Sequence, residues 1–337
     1  MVNRASRVRV TSQAGFTLVE LMVALVLFGL LTAGVLSVAV SVGQGFREQR
    51  QVAETDTAVR APMDYIVDSM RQANPGVQTG SIYASAGDAL CSTQSITVTN
   101  NVGAPANDVL DVVYASGGVV TTLLTNYGAG TSTFNVVDAT GISAGDTLVI
   151  SNQISGVIVF VTSVNAGTGA IGVSSQSGCA TTLLTANPFP AGSVVIRSLK
   201  ARFSIAPDVQ LNNIPVLFVT PYTANGLIAG NAQPLAENIE DMQIAWGIDT
   251  DGNNAITDGS TGPNEWQFAV GNAGPLLGPT RALRVTLIGR SPQALLNGPA
   301  TFVRPAAEDH PVATTPDNFR RRTLTSTIEI RNTTASP

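Results

Sequence analysis

The sequence predicts an α+β chain: a long N-terminal helix, apolar and then amphipathic, packed on a mainly antiparallel β-sheet head with an inserted β-rich lobe. Three observations lead there. Residues 16–42 form one apolar run whose only charge is Glu20. From there to about Ala73, apolar side chains recur at helical spacing among charged ones. Everything after Gly76 breaks into short β-branched runs separated by Gly, Asn, Ser and Pro.

The 337 residues exceed the needs of one average domain. Only 12% of them are charged, against about 25% in a typical globular chain, a profile that suits a secreted or surface β-rich protein. A net charge of −5 without a long basic run excludes a large nucleic-acid footprint. The basic side chains are nearly all arginine, with Lys200 the only lysine. Cys91 and Cys179 read as two buried thiols in a cytoplasmic chain and as one disulfide outside it.

The N-terminus decides between those compartments. At about 1.5 Å per residue, the run from Phe16 to Val42 spans the ~30 Å hydrocarbon core as a helix. Arg4, Arg7 and Arg9 precede it, so the first fifteen residues stay cytoplasmic and the rest is sent across. A secretory signal peptide has an apolar region of about 7–15 residues ending in a small-x-small cleavage site, and this run is far longer. An ordinary signal anchor fits the hydropathy but leaves Glu20 unexplained. A carboxylate at the centre of such a helix costs up to ~3 kcal/mol and is retained for a purpose.

The stretch Gly15-Phe16-Thr17-Leu18-Val19-Glu20-Leu21 resembles the processing signal of type IV prepilins and type II secretion pseudopilins. That resemblance implies a leader over 1–15, cut after Gly15 by a prepilin peptidase that then methylates Phe16. It also divides the helix into a transmembrane half, 16–42, and an amphipathic half, 43–74, ahead of a head over 75–337. Cleavage leaves a positive amine on Phe16, and Glu20 lies one helical turn on, placed to pair with the amine of a neighbouring subunit. Such a pair enforces register more than it stabilises. With the head exported, Cys91 and Cys179 are expected to join. They are 179−91=88 positions apart, and closing that loop stabilises by about 4–5 kcal/mol in the chain-entropy treatment.

Within the amphipathic half, Phe46, Val52, Val59, Met63, Ile66, Val67 and Met70 mark the apolar face. Pro62 removes a backbone hydrogen bond and is expected to kink the helix, and Asn74-Pro75-Gly76 to stop it. Strands are expected at Ser95–Asn100, Val109–Tyr114, Thr133–Val137, Thr147–Ser151 and Val157–Val164. Later ones are Val194–Ile205, Val216–Thr220, Ile239–Asp249, Arg281–Arg290 and Thr323–Arg331. Alternation is clearest at Met242, Ile244, Trp246 and Ile248, which should face a core. The regions at about 252–280 and 291–320 read as long loops, and about 90–190 as the inserted lobe.

Segments of the head are similar to PilW-type minor pilins: Gly141–Ile150 with Val159–Thr162, Leu235–Ile244 with Trp246–Gly252, and Arg281–Val285 with Arg321–Thr323. This implies a minor pilin, held in the bacterial inner membrane with its head in the periplasm, that helps initiate or cap a type IV pilus. Its partners would be other minor and major pilins, the inner-membrane assembly machinery and the prepilin peptidase. Two alternatives stay open, a J-type pseudopilin of a type II secretion system and a surface adhesin marked by an exposed apolar patch on the lobe.

Catalytic signals are sparse. His310, in Glu308-Asp309-His310-Pro311, is the only histidine, too few for an ordinary zinc site and set in a Pro-rich loop, and no phosphate-binding G-x-x-x-x-G-K-[ST] loop occurs. No enzyme activity is expected. One cofactor reading stands: Asp249, Asp251, Asn253, Ala255 and Asp258 follow part of a calcium-loop spacing. Ser260 falls where the bidentate glutamate belongs, and Asp, Asn and Gly also make ordinary turns.

Overall fold

A computed structural model describes residues 15, 17–77, 82–83, 95–102, 106–128, 131–174, 189–260, 262–268, 280–294 and 300–329. Phe16, Cys91 and Cys179 lie outside the described residues. The chain divides into two units, Met1–Gln51 and Val52–Pro337. Helix α1, Leu18–Arg71, begins in the first and ends in the second.

In the first unit, every described large apolar side chain from Leu18 to Val42 is exposed, Phe28 by 68%. By length and composition α1 can cross a membrane. Among the described residues nothing in this unit covers its apolar surface.

In the second unit α1 turns amphipathic. Val59, Met63, Ile66, Val67 and Met70 fall on one face and are buried. Phe46 and Val52, expected on that face, are 67% and 49% exposed, so the buried stripe starts at Val59. The helix runs through Pro62 without interruption. It stops where Asn74 and Gly76 take positive φ, 59° and 72°, a backbone shape that asparagine and glycine accept at least cost. Asn74 fixes the exit by accepting from Ser95 Oγ at 2.7 Å and donating to Val77 O at 3.1 Å.

The strands, in chain order, are β1 Ile82–Tyr83, β2 Ile96–Val102, β3 Asn107–Thr122, β4 Thr133–Asn135, β5 Thr147–Ser151, β6 Gly156–Asn165, β7 Ala170–Ser174 and β8 Val194–Asp208. They continue as β9 Ile214–Thr223, β10 Gly226–Leu227, β11 Gln233–Glu237, β12 Ile239–Ile248, β13 Trp266–Gln267, β14 Thr280–Arg290 and β15 Arg321–Glu329. The α+β class and the antiparallel pairing agree with the sequence, with one exception: β1 pairs β6 in parallel. Among the described residues there are two sheets, not one. Eleven strands form the first, and β13-β12-β14-β15 the second.

Two long strands organise the larger sheet. β3 pairs β8 from Leu110↔Phe203 to Thr122↔Val194. The other edge of β8 pairs β5 near its start and β9 near its end. One ribbon therefore serves two cores. The first core gathers the α1 stripe, Leu110, Val112 and Tyr114 of β3, Phe203 of β8, Met242, Ile244 and Trp246 of β12, and Leu283, Val285 and Leu287 of β14. The second lies under β4–β7, with Leu148, Val159, Ile171 and Phe189 around Tyr127 and Phe134, whose rings meet edge-on at 5.1 Å.

Period-two alternation places these side chains. On β12 Met242, Ile244, Trp246 and Ile248 turn to the first core, while Asp241 and Gln243 are buried on the opposite face. Gly289 on β14 sets how closely the helix lies. A Cβ there would collide with Val59 of α1, so the strand needs hydrogen at that position. Gly289→Ala is expected to lower the unfolding free energy by about 1–3 kcal/mol through overpacking. Val59→Ala should cost less in the Gly289→Ala background than alone, as a double-mutant cycle by urea denaturation would show.

Candidate functional site

The residues singled out by sequence fall in three places. At the start of α1, Glu20 and Thr17 close on each other. Glu20 Oε2 accepts from Thr17 N and Thr17 Oγ1, both at 3.0 Å, and Thr17 Oγ1 accepts from Glu20 N at 3.3 Å. This is a capping box, in which a threonine and a glutamate three residues on satisfy each other's backbone donors. The T-x-x-E spacing was visible in the sequence. Glu20 thus has a role within its own helix besides any role toward a neighbour. Gly15 is exposed just ahead of the cap.

The acidic loop after β12 folds around two buried carboxylates, Asp249 and Glu265. Asp249 accepts from Gly252 N at 2.7 Å, from Asn254 N at 3.0 Å and from Arg281 at 3.2 Å. Glu265 accepts from the backbone of Thr250, Asp251 and Thr257 and from the Thr250 hydroxyl. The Thr257 N–H first, with those of Thr250 and Asp251, holds its carboxyl below the usual carboxylate range. Asp249, Asp251 and Glu265 each offer an oxygen within 4.8 Å of the others. Asp258 does not join these carboxylates, and Glu265 was not foreseen. Asn253 bonds Asp251, and Asp258 bonds Ser260. The chain's own N–H groups and Arg281 hold the turn, and a calcium ion there would compete with Arg281 for Asp249.

The third place was read as a loop. Residues 301–317 form a strap, tied by Phe302 N to Asp317 O at 3.0 Å and Asp317 N to Phe302 O at 2.7 Å. Farther along, Ala313 N donates to Arg304 O at 3.0 Å. At its tip Ala307 and His310 exchange backbone bonds of 2.9 and 2.8 Å around Glu308, whose φ is 50°.

Three successive tip residues reach three different strands. Glu308 takes Arg284 at 2.8 Å and Thr286 at 2.9 Å on β14. Asp309 takes the amides of Asn100 and Asn101 on β2 at 3.0 and 3.2 Å. His310 Nδ1 lies 2.8 Å from Asp241 Oδ2 on β12. Because β2 belongs to the larger sheet and β12 and β14 to the smaller, the tip fastens the two together.

Asp241, fully buried, is the hub. Arg304 Nη1 donates to it at 2.6 Å, and Gln243 Nε2 at 2.8 Å. Nearby, Asp108 accepts from Asn101 N at 3.0 Å and Ile244 N at 2.7 Å. Burial pushes the Asp108 carboxyl up to about 7; Asp309 and Asp241 add to the rise, while the two N–H donors oppose it. Sequence reasoning weighed His310 only as a catalytic or zinc residue. The signal missed was a lone histidine set between two acids and a proline.

On the lobe, Val119, Leu124, Val137 and Ile154 are exposed, by 59%, 54%, 65% and 69%.

Comparison with known families defines the class at the N-terminus. Residues 11–36 match the prokaryotic N-terminal methylation motif, and the capped apolar helix lies within and beyond that stretch. That match, with the capped apolar helix, is consistent with a type IV prepilin-like protein and supports a type IV pilus-related pilin with a membrane-anchoring N-terminal helix. The head narrows this: residues 203–332 match the Type IV Pilus-assembly protein W family, or PilW. That span runs from the end of β8 through β15 and takes in the whole second sheet, the acidic loop and the strap. Both matches point to a structural protein that interacts with pilus components and the prepilin peptidase. Neither a curated protein nor a solved structure matches the chain.

Arg304 offers the sharpest test of the hub. Arg304→Met leaves Asp241 buried with one cationic partner fewer, and should cost about 3–5 kcal/mol. Urea unfolding followed by the fluorescence of buried Trp246 would measure it.

Proposed function

We propose that this chain is a minor pilin, a low-abundance subunit that joins other minor pilins at one end of a type IV pilus and helps initiate or cap assembly. Before assembly it stands in the bacterial inner membrane with its head in the periplasm. The supporting observation is the start of α1: an apolar surface exposed from Leu18 to Val42 whose one charge, Glu20, closes a capping box with Thr17.

That geometry separates two roles of Glu20. Within the helix it needs only an oxygen acceptor for Thr17, which glutamine also supplies. Toward the Phe16 amine of another subunit it needs a negative charge. Glu20→Ala removes both; Glu20→Gln keeps the cap and loses the charge. Prepilin peptidase should still cut both variants after Gly15 and methylate Phe16, as intact mass shows.

Both should insert in the membrane, since each makes the helix less charged. Both should fail to co-purify with partner pilins and should reduce filament number severalfold. If Glu20→Gln assembles normally, charge pairing is wrong and capping alone explains the glutamate. A mature N-terminus other than Phe16 in the natural chain would overturn the prepilin-type processing itself.

A further inference from the structure

We propose that the strap tip is a proton-operated clasp between the two sheets, tightened by acid and loosened by alkali. The tip brings acids against acids. Asp309, on the strap, bonds the same Asn101 whose backbone N–H bonds Asp108. Asp241 on β12 lies on the other side, bonded to Arg304 and His310 of the strap. The remaining ionic pair at the tip, Glu308 with Arg284, is satisfied within itself. With Asp108, Asp241 and Asp309 all ionised, three carboxylates face one guanidinium and one imidazole.

The uncharged partners sharpen the imbalance. The atoms left over are acceptors: Asp309 Oδ1, Asn100 Oδ1 and Gln243 Oε1 are buried with no donor. A cluster rich in buried acceptors and negative charge gains from taking up a proton, which supplies a donor and removes a repulsion. The raised Asp108 carboxyl agrees with this. An acid whose folded pKa lies above its unfolded value contributes stability at low pH, and that stability is lost as pH rises through the folded value, here about 7. In the opened strap Asp108 meets water and returns toward about 4.

Hydrogen–deuterium exchange by mass spectrometry reads this on the full chain in detergent micelles, at about pH 6 and about pH 8. Rates are divided by the intrinsic chemical rate at each pH. Peptides spanning 301–317 should be about tenfold better protected at the lower pH, the ratio that one proton-linked group with pKa near 7 gives over that interval. Peptides from β5 and β6, remote from the tip, should show no such change. Asp108→Asn keeps an oxygen for the Asn101 and Ile244 N–H groups but removes the carboxyl that takes up the proton. It should leave strap protection nearly equal at the two values.

Equal protection of the natural strap at both pH values overturns the clasp. So does Asp108→Asn retaining the tenfold difference, or a pH effect of the same size in β5 and β6. The natural chain's comparison needs no variant and decides the matter even where Asp108→Asn fails to fold.

Discussion

One contact sets the geometry of the head: the α1 stripe from Val59 to Met70 lies against strands of both sheets at once. A helix with one apolar face would ordinarily cover a single sheet. Here that face meets β2, β3 and β8 of the larger sheet and β12 and β14 of the smaller. The two sheets share this core, but among the described residues no strand pairing joins them. Their spacing therefore depends on side-chain volume along the helix and on the hydrogen at Gly289. Hydrophobic burial is strong but non-directional, so it fixes proximity better than register. The polar ties at the strap tip add the direction that packing lacks. Each of Glu308, Asp309 and His310 engages a different strand at hydrogen-bond distance, which leaves little freedom for one sheet to slide on the other.

Much of this was legible in the sequence, and the reasons differ by element. The helix was plain because apolar length and periodicity are local signals, and Asn74 and Gly76 marked its end through their own backbone preferences. All ten foreseen strands coincide with observed ones because β-branched runs between turn residues report local conformation. The strands that went unseen are β1, β7, β10, β11 and β13. The two-residue strands carry no run long enough to show alternation, and β7, with Gly172 at its centre, lacks it too. Gln233–Glu237 contains Pro234 and is a strand only because β9 lies beside it. The division into two sheets was hidden because pairing is decided by partners distant in sequence.

The sites show the same split. Thr17 and Glu20 are close in sequence, and their bond could have been read from spacing alone. The acidic loop was read for its oxygen-bearing residues, but the decisive partners, Glu265 and Arg281, lie beyond the pattern that drew attention to it. The strap was missed for a related reason. Pro and Gly density marks a segment as lacking regular structure and says nothing of what its side chains hold. Residues 308–310 acquire meaning only when β2, β12 and β14 are beside them.

The ribbon of β3 and β8 has a mechanical consequence. These strands, of 16 and 15 residues, run from the core beneath α1 to the core of the lobe, and their pairing shifts register between Ala115 and Thr121. A tensile load applied to the lobe would enter both strands together and act along their length. Their backbone hydrogen bonds to one another, and to β5 and β9, would then be strained side by side and not one at a time. The lobe hangs on the same two strands that line the core beneath α1, so force on it would reach the packing around the helix through them.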